Sequence, residues 1–186
     1  MVGNDIIDIQ LATLQSNWQR PRYLDKLFTT SEQELIRSSD NATHMVWRLW
    51  SMKEAAYKLY TQLNPGRFYN PKAFKCFIGD TSYVRYKSFR CEVNTQHTKD
   101  YIISVARLDN SQSLFNVIEF REPSHTAISL ATQKHAIQLF SDQNNCAPKE
   151  VTFIKSEFGI PFIQYKSERY NVSLSHHGRF GAVAIT

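Results

Sequence analysis

Apolar positions along the chain change their period several times, and each change marks an element. Val2 to Ile9 alternates loosely and is rich in Ile, which predicts a strand carrying Asp5 and Asp8. After a polar connection, Thr30 and Ser31 precede Glu34 in an S-x-x-E pattern, predicting a capping box and a short helix through about Arg37. The run from Thr43 to Leu63 contains neither Gly nor Pro and stops at Asn64-Pro65-Gly66, the clearest helix in the sequence. Met45, Leu49, Met52, Ala56 and Leu59 recur there at spacings of three and four, a core-facing stripe. Trp47, Trp50, Glu54 and Lys58 fall on a neighbouring face, so a carboxylate and an ammonium share one side of the helix, one turn apart.

From Ala73 to Phe120 the pattern is that of strands: Phe74 to Ile78, Tyr83 to Tyr86, Arg90 to Asn94, Tyr101 to Ala106 and Phe115 to Phe120. An antiparallel meander is the simple reading. Pro123 and Ser124 open a second long helix over about Thr126 to Ser141, with Ile128, Ala131, His135 and Leu139 along one stripe. Val151 to Lys155, Pro161 to Tyr165, Tyr170 to Ser175 and Phe180 to Ile185 read as closing strands. The order predicts an α+β fold of two pseudo-related halves, residues 1–122 and 123–186, each with a long helix packed on an antiparallel sheet.

Composition narrows the class. With 186 residues, 42% of them apolar, and only six Gly and six Pro, the chain buries a core and has no linker-like tract. Cys76, Cys91 and Cys146 are odd in number and form no C-x-x-C pair, which argues against a disulfide framework or thiolate metal site and fits a reducing cytoplasm. The first residues are acidic where a signal peptide is basic, and no apolar run approaches the ~20 residues of a membrane span. A net charge of +5 favours an anionic partner. Lys and Arg are nevertheless spread along the chain without a basic cluster interleaved with aromatics, which weighs against a nucleic-acid-binding protein. His44, His97, His125 and His135 show no metal-like grouping.

Three separated segments carry the candidate chemistry: Gly3-Asn4-Asp5; Trp50-Ser51-Met52-Lys53-Glu54-Ala55-Ala56-Tyr57-Lys58; and Ser173-Leu174-Ser175-His176, with Gly159-Ile160-Pro161 upstream. Together they resemble the 4'-phosphopantetheinyl transferase superfamily, whose pattern is a G-x-D strand, a W-x-x-K-E-A-x-x-K helix, and a G-x-P then S-x-S-H stretch. The middle motif is the most specific. Lys26-Leu27-Phe28-Thr29 followed by Glu32 is similar to the family's segment before its short helix. The resemblance covers roughly residues 1 to 60 and 157 to 186.

A pyrophosphate is a hard oxygen ligand, and Mg²⁺ takes one or two carboxylates together with phosphate oxygens and water. Asp5 and Glu54 supply two such carboxylates as candidate metal ligands, and Glu54, or water held by it, is the candidate general base. Lys58 is placed to meet a departing phosphate, and Arg48 is a further candidate phosphate contact. The resemblance implies that coenzyme A is the co-substrate, with Ser175 and His176 on its phosphates, and that an apo acyl or peptidyl carrier protein is the partner. A small acidic carrier suits a basic surface. A monomer is expected because both half-sites lie in one chain.

The sequence departs from the family pattern in three places. Ile7 stands where many monomeric members carry a third carboxylate, Ile160 replaces the usual Lys within G-x-P, and His177 follows His176 where Ser or Thr is commoner. The S-x-S-H segment also comes last in the chain, as in the short trimeric type, so the C-terminal half is expected to bring Ser175 and His176 to metal ligands held by the N-terminal half. Plainer readings stand beside these. Glu54 and Lys58 form an i,i+4 pair of the kind that stabilises any helix by ~0.2 to 0.5 kcal/mol. Asp8 reads as a solvated strand-end residue, Lys53 as a solvated helix charge, and Trp47 and Trp50 as packing residues. A catalytically silent carrier-binding relative and a metal-dependent hydrolase are the rival functions.

Overall fold

The computed structural model describes residues 1–66, 68, 70–108, 113–121 and 125–186, with backbone alone at 125 and 126. The first half runs β1 (Val2–Asp8), α1 (Ile9–Gln15), α2 (Tyr23–Leu27), α3 (Thr30–Ser38), α4 (Ala42–Leu63), β2 (Lys75–Phe77), β3 (Tyr83–Tyr86), β4 (Phe89–His97) and β5 (Tyr101–Arg107). The second runs β6 (Leu114–Glu119), α5 (His125–Asn144), β7 (Val151–Lys155), β8 (Pro161–Tyr165), β9 (Glu168–His177) and β10 (Phe180–Ile185). Two five-stranded antiparallel sheets result, in the orders β1-β5-β4-β3-β2 and β6-β10-β9-β8-β7. The wiring is the same in both: the strand before the long helix returns to lie beside the last strand of its half. This is the α+β fold of two pseudo-related halves expected from the order of elements.

The division between the halves lies earlier than expected. β6, which the sequence reading joined to the first meander, pairs with β10 from Phe180↔Glu119 to Ile185↔Leu114 and so belongs to the second sheet. Pro123 and Ser124, expected to open the second helix, lie outside the described residues. None of the helices among the described residues is long and apolar enough to cross a membrane.

α4 forms where Gly and Pro are absent, starts at an Asn41 cap whose Oδ1 accepts the His44 N–H at 3.0 Å, and ends at Asn64. Leu49, Met52, Ala56 and Leu59 are wholly buried against β1, β2, β4 and β5. In α5 the buried row runs through Ile128, Thr132, Ala136 and Phe140, one residue on from the predicted Ala131, His135 and Leu139. Thr132 is buried because its hydroxyl donates to the Ile128 carbonyl at 2.8 Å and Gly181 leaves it room. Phe140 meets Tyr165 and Tyr170 edge-on.

The N-terminal connection is also more structured than expected. Asp8 caps α1 by accepting the Leu11 N–H. The capping box of α3 is Thr29 with Glu32, two residues before the Ser31 to Glu34 frame read from the sequence. Glu32 is selected because its carboxylate has further partners: the Cys76 N–H at 2.7 Å and the Lys53 ammonium at 2.8 and 2.9 Å. Lys53 is 1% exposed and also donates to the Pro71 and Phe74 carbonyls, so it is a buried fastener and not a solvated charge.

Candidate active site

β1 is buried on both faces, and its period of two divides its residues between two neighbours. Val2 and Ile6 pack on the second half, Val2 with Ala184 and Ile6 with Phe180 and Ala182. Gly3, Asp5 and Ile7 face α4. A Cβ on Gly3 would lie 2.0 Å from the Ala55 carbonyl oxygen, so this glycine lets the strand lie directly against the helix. Ile7 joins the apolar core beneath α4, which accounts for the missing third carboxylate.

That close approach brings Asp5 beneath Lys58. The Lys58 ammonium donates to Asp5 Oδ1 at 2.8 Å and to the Asn4 carbonyl at 2.9 Å. Asp5 is 13% exposed and Lys58 29%. Burial raises the Asp5 carboxyl above its usual range, while Lys58 and then His177 and His176 pull it back. Glu54, one turn before Lys58, is pushed up to about 7 by burial and then by the negative charge of Asp5, against the opposing effect of Lys58. Two carboxylates in one another's field with a single lysine between them are electrostatically under-compensated, which is the condition a divalent cation relieves. Among the described residues no group of three or more His, Cys, Asp or Glu side chains is placed to hold a metal. Two carboxylates with phosphate and water completing the shell still suit Mg²⁺, whereas zinc wants more protein ligands.

The second half reaches this site along β9. Ser173 Oγ accepts the Asn4 N–H at 2.8 Å and donates to Asn4 Oδ1 at 3.0 Å. Four residues on, His177 Nδ1 accepts the Asp8 N–H at 3.0 Å. A backbone amide can only donate, so this bond fixes the neutral His177 tautomer with its proton on Nε2. Burial lowers the His177 pKa in the same sense. His176 occupies the opposite face of β9 and is close enough to Asp5 to act on its charge. Ser175, across from Ala182 on β10, is 5% exposed, and its Oγ is buried without a hydrogen-bond partner. Asp8 is buried and structural: its Oδ2 accepts the Arg179 N–H at 3.2 Å, and Gly178, at φ +56°, passes so close that a Cβ would lie 2.5 Å from that oxygen. The Asn4–Ser173 clip was not anticipated. Its sequence signal is a polar residue at an inward position of a strand buried on both sides.

Beside Lys58 opens a cleft of about 370 Å³ between the end of α4 and the second half. Tyr57, Lys58, Thr61 and Gln62 form one wall, and Phe158, Gly159, Ile160 and Pro161 with the start of β9 form the other. Asp5, Glu54 and Lys58 thus lie together where β1 meets α4, and β9 brings His176 within electrostatic reach of Asp5, while Ser175 is not among the residues that line the cleft. Arg48 does not join them. It lines a different cavity and donates a long hydrogen bond of 3.4 Å to Ser82.

Comparison with known proteins places the chain in a family. A family model described as the 4'-phosphopantetheinyl transferase superfamily matches residues 1–106. No curated protein matches the chain. Among solved structures, the apo-ACPS structure from Chronobacterium ammoiniagenes is 18% identical, with a TM-score of 0.48, covering 57% of this chain and 93% of its own. The holo-[acyl-carrier-protein] synthase of Thermotoga maritima is 14% identical with a TM-score of 0.45, covering 90% of this chain and 83% of its own.

Proposed function

Because the chain belongs to the 4'-phosphopantetheinyl transferase superfamily, we propose that it moves the phosphopantetheine arm of coenzyme A onto a serine of an apo acyl or peptidyl carrier protein. The observation that supports this most directly is the position of Lys58, which touches Asp5 and forms part of the wall of the adjoining cleft. A cation so placed can contact a phosphate in the cleft while remaining beside the two carboxylates.

Asp5 and Glu54 would hold Mg²⁺, which when bound supplies the countercharge a pyrophosphate needs. Coenzyme A would lie in the cleft against Gly159-Ile160-Pro161. With Ile160 in place of a lysine, that wall offers apolar contact, and phosphate recognition falls to Lys58 and the Ser175–His176 segment. Glu54, whose proton affinity is raised close to neutrality, or a water it holds, accepts the proton of the carrier serine. The serine oxygen attacks the phosphorus that bears pantetheine. The bond from that phosphorus to the neighbouring phosphate breaks, and adenosine 3',5'-bisphosphate leaves with the electron pair, its charge met by Lys58.

The test is the intact mass of apo carrier proteins after incubation with this protein, coenzyme A and Mg²⁺. The expected result is a gain of one phosphopantetheine mass that disappears in the Glu54→Ala variant and with a chelator. Coenzyme binding without any mass gain across a panel of carriers would instead identify a catalytically silent relative.

A further inference from the structure

The shared wiring of the two halves leads to a second site. In the second half, β9 outruns β8: their pairing ends at Phe162↔Asn171, and the cleft beside Lys58 opens along the unpaired stretch that follows. In the first half β4 outruns β3 in the same way. Their pairing ends at Tyr83↔Glu92, the Val93 N–H makes a last bond to the Ser82 carbonyl, and a cavity of about 390 Å³ opens beyond it. The loop between the second and third strands of each half, residues 78–82 or 156–160, borders the opening in both cases.

The two openings differ in chemistry. The cavity in the first half is predominantly polar and takes in Arg48 from α4 and Arg107 from β5. The Nε of each arginine is buried without a hydrogen-bond partner. Asp80 and Glu92 also border the cavity, yet the ion pairs among the described residues include neither arginine. Burying guanidinium donors with nothing to bond to is costly, and structures rarely leave them so. Burial lowers the Arg48 pKa, the electrostatic mark of the same deficit. The Ser82 hydroxyl, which accepts from Arg48 at 3.4 Å, stands at the same opening as a further donor. Two guanidinium groups with a hydroxyl beside them form a donor set suited to a tetrahedral oxyanion.

We propose that this cavity binds a phosphate group through Arg48 and Arg107, as a non-catalytic counterpart of the cleft beside Lys58. Asp80 and Glu92 border the site, but no counterpart of Lys58 does, so it holds its ligand without reacting with it. The proposal stands independently of the transferase reading.

The test is a titration with sodium phosphate, at ionic strength held constant with sodium chloride, followed through the arginine Nε–Hε magnetic resonances. The Arg48 and Arg107 signals are expected to move together along one saturating curve. Arg107→Gln should weaken the binding read at Arg48 by about tenfold or more, as loss of a charge-assisted hydrogen bond does. Arg107→Lys, which keeps the charge and most of the stem, should weaken it less. In Glu54→Ala the curve should be unchanged, separating this site from the first cleft. Adenosine 3',5'-bisphosphate binding more tightly than inorganic phosphate at these signals would assign the phosphate to a nucleotide, and equal binding would assign it to the free ion. The proposal is overturned if neither signal moves beyond the chloride control, if the Arg48 shift survives Arg107→Gln undiminished, or if acetate matches phosphate.

Discussion

At the scale of single residues, Glu54 carries the clearest pH signature. Its carboxyl is pushed from 4.5 up to about 7 in the folded chain by burial and by Asp5. Between those values the folded state holds a proton that the unfolded state has lost, so this group's contribution to stability falls as pH rises, by up to about 1.4 kcal/mol per pH unit. His177 and His97 act with the opposite sign: their lowered pKa values cost stability on acidification below the ordinary histidine range. The contribution of Glu54 is therefore read as a difference. In metal-free protein, denaturant unfolding of wild type against Glu54→Gln should show the variant gaining relative stability from pH 5 to 7. A second prediction concerns Gly178, whose positive φ and contact with Asp8 leave no space for a side chain. Gly178→Ala should lower stability by about 2 kcal/mol or more in thermal unfolding. Asp5, Glu54 and Lys58 were legible in the sequence because the motif is contiguous or lies on one helix face. Asp8 and Lys53 were not, because what buries them comes from distant chain: Arg179 for the first, Glu32 and the Phe74 carbonyl for the second.

At the scale of elements, Glu32 ties three pieces together. Its carboxylate caps α3, accepts the Cys76 N–H beside β2, and neutralises Lys53 within α4. Glu32→Ala removes all three contacts and leaves a buried ammonium, which should cost about 3–5 kcal/mol. Adding Lys53→Met to that variant should recover much of the loss, which chemical denaturation of the single and double variants will measure. If the pair merely decorated the surface, both changes would be nearly silent. Sequence patterning located α4 to within a residue, because a Gly- and Pro-free run with a three-and-four apolar stripe stops at Asn64-Pro65-Gly66. It misframed the α3 cap, since Thr29 to Glu32 and Ser31 to Glu34 satisfy the same local pattern and only tertiary contacts separate them. The buried row of α5 was shifted for a related reason, Thr132 satisfying its own hydroxyl inside the helix.

At the scale of the whole molecule, β1 belongs to one sheet by hydrogen bonds and to both halves by packing. The halves are therefore expected to unfold together, in one transition by both circular dichroism and tryptophan fluorescence. Ser173→Ala leaves the Asn4 amide and side chain without their buried partner, and should cost about 1–3 kcal/mol without splitting that transition. The two-half architecture was legible from the order of strands and helices. The place of β6 was not, because a strand's own pattern does not say which sheet it will join.

The contacts that complete the site, Asn4 with Ser173 and Asp8 with His177, each span 169 positions of chain. Local structure such as α4 can form on its own schedule, but these pairings must wait for a large loop to close, and such closures slow folding. While the polypeptide is being made, Asp5 and Glu54 are present long before the segment that shields them. In that interval β1 offers Val2 and Ile6 to whatever is near, so the nascent chain is most prone to association just when its paired carboxylates have been made and the cleft beside Lys58 has not.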